Sequence, residues 1–297
     1  MTTSDSNTQC YIEVENWDNV NEQGLIWVKV PSINSSVDTE LYLYYDIDHA
    51  DNTAYVGDTD STPAENVWDN NYQLITHMRD DPDPNNIRDS TENDNDGTKK
   101  DAGEPVSTTS GKISDAQHFD GNDDYVNYGN DTRLNLRNEI TLEAWINMDQ
   151  NPGAEDWHNV VGKQTYFLYL YSENGSEVLL SAYFKIEGKK KDVYNFATTD
   201  INPNGWTRVA VTFDGIDIKG YVNDQLDGTY NKPGIIDDSS SDNLLIGAFL
   251  GEEDYCFDGK IEVRVSNTAR SISWIGASYE SERDNLLDFG NEETALT

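Results

Sequence analysis

Oxygen-bearing side chains alternate in Asp120-Gly121-Asn122-Asp123-Asp124, where Asp120, Asn122 and Asp124 form a D-x-N-x-D run. Such a run offers the hard oxygen ligands that a hard cation such as Ca2+ takes. Its sixth position is Tyr125, not glycine, so it is not an EF-hand loop. Glu92, Asp94, Asp96 and Gly97 repeat the spacing without a glutamate at position twelve. The one basic island is Lys185, Lys189, Lys190 and Lys191, at the expected tip of a hairpin. A positive tip on an acidic protein suits an anionic glycan or an acidic neighbouring subunit, with local charge neutralisation as the alternative. Trp157 beside His158, in a loop expected over residues 153–159, offers ring faces for stacking on sugars. Tyr166, Tyr169 and Tyr171 follow in a strand, where alternation turns some of them into core.

Glycoside hydrolysis needs two carboxylates flanking the scissile bond. On a strand that requirement reads Glu-x-Asp-x-Glu, and the chain has no such run; Glu13-x-Glu15 is the nearest. The four histidines form no HExxH, and there is no GxSxG, phosphate-binding loop or dinucleotide fingerprint. The expectation is a binding protein, not an enzyme.

Composition narrows the partners. Asp and Glu number 56 against 20 Lys and Arg, a formal charge of −36. That surface repels phosphates, so nucleic acid is excluded as a partner and anionic membranes are disfavoured. Aromatic residues at 11% argue for a folded core despite the charge. In molar salt the Debye length falls to about 3 Å, which screens carboxylate repulsion and leaves the hydrated surface soluble. The composition therefore points to a halophilic source. Cys10 and Cys256 lie far apart without a CxxC and read as buried thiols. No apolar window is long enough to span a membrane, and residues 1–16 show no export signal.

The elements that must position these residues are strands. Period-two alternation marks residues 24–31 and 41–45, with 9–15 as a third strand, a sheet too small to stand alone. Residues 79–101 read as loop. Strands resume over 116–126, 139–148, 166–171, 177–185, 193–197, 206–213, 216–222, 244–248 and 259–265, and Asp214-Gly215 signals a hairpin. A helix capped by Ser271 or Ser273 carries Trp274, Ile275, Ser278 and Tyr279 at helical spacing. The fold class is all-β: an antiparallel β-sandwich with a smaller N-terminal β module and one short C-terminal helix. The expected organisation is a partial sandwich over residues 1–66, a strand plus acidic linking loop over 67–115, the main sandwich over 116–283, and an acidic tail over 284–297.

Three stretches give the chain a family likeness: HFDGNDDYVNYG (118–129), WTRVAVTFDGIDIKGYVND (206–224) and LLIGAFLGEEDYCFDGKIEVRVSNTARSISWIGASY (244–279). Together they resemble the laminin-G-like, concanavalin A-like lectin/glucanase jelly roll. Residues 25–46, 67–78 and 89–97 resemble a β-sandwich module of unknown function that precedes such jelly rolls in archaeal and bacterial surface proteins. The upstream resemblance covers the later half of that module, so it implies a sheet completed by the neighbouring domain or by another chain. For the jelly roll it implies calcium near the first and last strands, held by Asp120, Asp123 and Asp258. Ile261 runs directly into Glu262-Val263-Arg264, one acidic position short of the family pattern.

The resulting expectation is a non-enzymatic virion surface protein of a haloarchaeal virus: a tail fibre, spike or capsid decoration made in the cytoplasm and displayed outside the cell. Its partners would be a host glycan or glycoprotein, other virion subunits and further copies of itself. A cellular adhesin or surface-layer-associated protein is the alternative, and a glycosidase the third reading.

Overall fold

A computed structural model describes the chain apart from residues 22, 35, 46–47, 49, 194–195, 250–255 and 291–297, and gives backbone alone within Lys189–Val193. The body is a two-layer antiparallel β-sandwich. Each layer is an 8-stranded sheet among the described residues. The first sheet is centred on Ile140–Met148 and the last strand, Asp258–Ser266, paired from Thr141↔Ser266 to Met148↔Gly259. The second is built on Asp156–Lys163, Tyr166–Ser172 and Leu179–Ile186. Alternation explains the core between them. Leu142, Ala144 and Ile146 meet Val263 and Val265 on the inner side of the first sheet, with Leu168, Leu170, Leu180 and Phe184 facing them from the second.

The strand expected within 67–115 and the one expected from 116 join the sandwich, and the stretch expected to be loop, 79–101, adds the short strands Asn86–Ile87 and Gly97–Lys99. Tyr72–Thr76 pairs with the last strand, and Ala116–Asp120 pairs with the same strand further along. Gly97–Lys99 extends the second sheet. What holds the intervening chain is a side chain: the Asp89 carboxylate accepts from Ile75 N, Thr91 N and Asn95 N at 3.1, 3.0 and 3.0 Å. Burial raises the Asp89 carboxyl to about 7 against those donors. Hydrogen bonds to one buried carboxylate leave no periodicity in the sequence.

The N-terminal module is a 3-stranded sheet of Ile12–Asp18, Gln23–Val28 and Val56–Asp58. Near the other terminus, Ser271 caps the helix Ile272–Ser281 by accepting from Trp274 N at 3.2 Å. Between Thr207–Phe213 and Asp217–Val222 the Asp214 carboxylate accepts from Ile216 N and Asp217 N, and Gly215 takes φ of 84°, open to glycine at little cost. Cys10 and Cys256 are both buried.

Candidate functional site

The outer face of the first sheet is closed by protein. Alternation opposite the core points Glu143, Arg208, Glu262 and Arg264 outward, yet Arg208 meets the C-terminal helix, both arginines meet Glu282 that follows it, Arg264 also meets Trp27 of the N-terminal module, and Glu262 is covered by residues 112–113. Arg208, 2% exposed, donates to Glu143 Oε1 at 2.6 Å and lies 3.0 Å from Glu282 Oε2. Arg264 pairs with Glu282 and lies 4.8 Å over the Trp27 ring, whose Nε1 donates to Glu15 Oε2 at 2.6 Å. His77 joins the module to the sandwich, with Nε2 3.2 Å from Glu13 Oε1 and Nδ1 3.2 Å from Glu15 Oε2. Burial alone would lower its pKa, but Glu15 and Glu13 outweigh that and raise it to about 9. Burial raises Glu262 to about 7, against donation from Lys112 N and Ile113 N. Glu15, Glu143, Glu262 and Glu282 surround about 20 Å³ of space, room for a water but not for a sugar ring.

The outer face of the second sheet carries rings instead. Strand register aligns three rows across three neighbouring strands: Trp157↔Tyr171↔Leu179, Asn159↔Tyr169↔Ser181 and Gly162↔Phe167↔Tyr183. Phe167 and Tyr183 stack at 4.6 Å, and a Cβ on Gly162 would fall 2.1 Å from Phe167 Cβ, so glycine is required under that ring. Phe167 meets Tyr169 at 5.4 Å, Tyr169 meets Trp157 edge-on at 5.9 Å, and Trp157 lies 6.4 Å from Tyr171. Tyr169 and Tyr183 are buried, whereas Trp157, Tyr171 and Leu179 are half-buried. At that end the row opens into a groove of about 330 Å³, lined by Tyr171, Leu179, Glu173, Asn174, Glu177 and Thr198. One ring, Tyr171, the aliphatic Leu179 and several polar groups line a groove within the volume range of small-ligand sites.

Of the residues expected to stack on sugar, Trp157, Tyr169 and Tyr171 are brought together here. Trp157 lies in a strand and not in a loop; a bulge between Asn159 and Val161 breaks the alternation and hides the strand from a period-two reading. His158 faces the opposite side, 5.8 Å from Phe257, where burial lowers its pKa. Tyr166 is core, its hydroxyl donating to Leu134 O. Lys185 lies at the far end of Leu179–Ile186, 3.7 Å from Asp237. The side chains of Lys189, Lys190 and Lys191 lie outside the described residues; their backbone pairs with Ile186, Lys185 and Phe184. The ionic cluster on the first sheet was not foreseen. Its sequence signal is Glu143 and Trp145 alternating with apolar residues on one strand, which reads equally well as an ordinary wet face.

The acidic residues at the start of the sandwich divide. Glu104, Asp123 and Asp124 present carboxylate oxygens within 4.8 Å of one another, a hard donor set that fits Ca2+. The Lys100 ammonium contacts Asp123 and lies 3.6 Å from Glu104, so a protein cation shares the same oxygens. Asp120 and Asn122 are committed to their own turn, Asn122 N donating to Asp120 Oδ1 at 2.9 Å. Asp258 accepts from Gln150 Nε2 at 2.5 Å.

Residues 120–276 match the Concanavalin A-like lectin/glucanases superfamily (Laminin_G_3), and residues 1–74 match a domain of unknown function (DUF2341). No curated protein matches the chain in sequence. Domain 4 of a GH43 extracellular arabinanase from Geobacillus stearothermophilus, solved in complex with arabinotriose, is similar with a TM-score of 0.53 and 18% identity, over 70% of this chain and 98% of that one. The binding domain of Paraclostridial Mosquitocidal Protein 1 gives 0.54 and 15%, over 71% of this chain and 52% of its own. The Botulinum neurotoxin serotype G binding domain gives 0.54 and 10%, over 71% and 51%. The chain thus spans about half the length of the two toxin domains, and these likenesses show a shared fold.

Proposed function

The chain belongs to the Concanavalin A-like lectin/glucanases superfamily, and from the face of its sandwich that carries the ring row we infer a glycan-binding protein without a catalytic step. The observation that carries this reading is the row Trp157, Tyr171 and Leu179, which ends in a groove of about 330 Å³ on the sheet opposite the N-terminal module and the helix. Ring faces stack on the apolar faces of sugars, and the groove's carboxylates accept from hydroxyls. Against catalysis stands the placement of Glu143, Glu262 and Glu282 around a space that holds no sugar. Calcium, in this reading, is held by Glu104, Asp123 and Asp124 in place of Lys100.

The finer setting we propose is the surface of a haloarchaeal virion, displaying the groove to host glycans. Its support is the charge of −36, which suits molar salt. Mass spectrometry of purified virions, and repeated copies around a symmetry axis in particle images, test that setting; a precursor exported to the cell envelope would favour the adhesin instead. The binding reading is tested on a glycan array in high salt. Tyr171→Ala, which removes the ring lining the groove, should weaken every bound glycan about tenfold. Retention unaffected by Tyr171→Ala would overturn it.

A further inference from the structure

We propose that the Tyr171 groove selects glycans that carry no acidic group, an inference that rests on the binding reading above. Among the described residues, the polar side chains around its Tyr171 and Leu179 floor are two exposed acceptors, Glu173 and Glu177, with Asn174, whose amide is the one side-chain donor left there, and Thr198, whose hydroxyl already donates to Asp227. Ionised carboxylates only accept hydrogen bonds. A sugar hydroxyl donates to them, whereas a uronate or sialate carboxylate sets acceptor against acceptor. That mismatch persists in molar salt, where charge repulsion between exposed groups is screened.

Among the described residues no Lys or Arg lines the groove to reverse this preference. Lys185 stands six residues along the strand from Leu179, about 20 Å at the rise of an extended chain, and lies beside Asp237. The backbone of Lys189, Lys190 and Lys191 pairs at the same distant end. Burial, together with Glu173 and Glu155, holds the Tyr171 hydroxyl above its ordinary pKa, which marks the surroundings as acidic. The basic hairpin and the groove are thus separate, and an anionic glycan drawn to the lysines would not be seated in the Tyr171 groove.

The test is an array of galactose, glucose and mannose oligomers against their uronate counterparts, which differ at C6, probed with the full chain in 2 M KCl. At least a tenfold preference for the neutral members is expected. The double variant Glu173→Gln, Glu177→Gln supplies amide donors and should narrow the gap to about threefold with an unchanged melting temperature. A uronate bound as tightly as its neutral partner, and lost in Tyr171→Ala, would overturn the selectivity while leaving the ring site standing. Binding of neither class would overturn the ring site and the selectivity together.

Discussion

The protein should lose stability as pH rises from about 7 to about 9.5, and replacing His77 by glutamine should abolish that loss. His77 bridges two buried carboxylates at 3.2 Å each and stacks at 5.5 Å on Trp27, so it clamps the N-terminal module to the sandwich. With Glu13 and Glu15 outweighing burial, its pKa is about 9, against 6.5 when unfolded. The folded form holds the proton more tightly. Its contribution is therefore complete below about 6.5 and disappears as pH rises through about 9. The difference in pKa amounts to about 3 kcal/mol, or roughly 6–12 °C in melting temperature for a chain of this size. Exposed pairs would be screened by salt, but this one is sheltered, so the effect should survive in 3 M KCl. Calorimetry at pH 4.5, 6, 7.5 and 9.5 reads it. Glu262 and Asp89, both raised to about 7 by burial, make stability fall as pH rises through the range between about 4 and 7. Wild type and His77→Gln should share that lower slope, which makes it an internal control. Parallel melting curves for the two proteins from pH 7 to 9.5 would refute the clamp.

Arg208→Ala leaves Glu143 and Glu282 buried without their shared cation and should lower stability by about 3–5 kcal/mol in urea titrations. A loss below about 1 kcal/mol would mean that water reaches the cluster. Dilution from 3 M to 0.1 M salt should lower the melting temperature steeply, because 56 acidic side chains are then unscreened; an unchanged value would remove the halophilic reading. Lys100→Gln strips the protein cation from Glu104, Asp123 and Asp124, so millimolar Ca2+ should raise the variant's melting temperature more than the wild type's. Equal calcium responses would argue against that site.

Much of the fold was legible residue by residue. Alternation over Ile140–Met148 and Asp258–Ser266 marks strands because one side of each must meet the opposite sheet, and Ser271 announces the helix because its hydroxyl satisfies an amide three residues on. The acidic charge and the presence of candidate rings were equally plain. Their arrangement was not. Trp157, Tyr171 and Leu179 become one row only when three strands take their register, and a bulge conceals the first of those strands. His77 meets Glu13 across 64 positions, and Arg208 meets Glu282 from a strand to a helix. Short-range pattern reports which side of a strand a residue occupies. Which element covers that side depends on contacts between distant segments, and this decides that one acidic face becomes a sealed joint while the ring-bearing face keeps a groove.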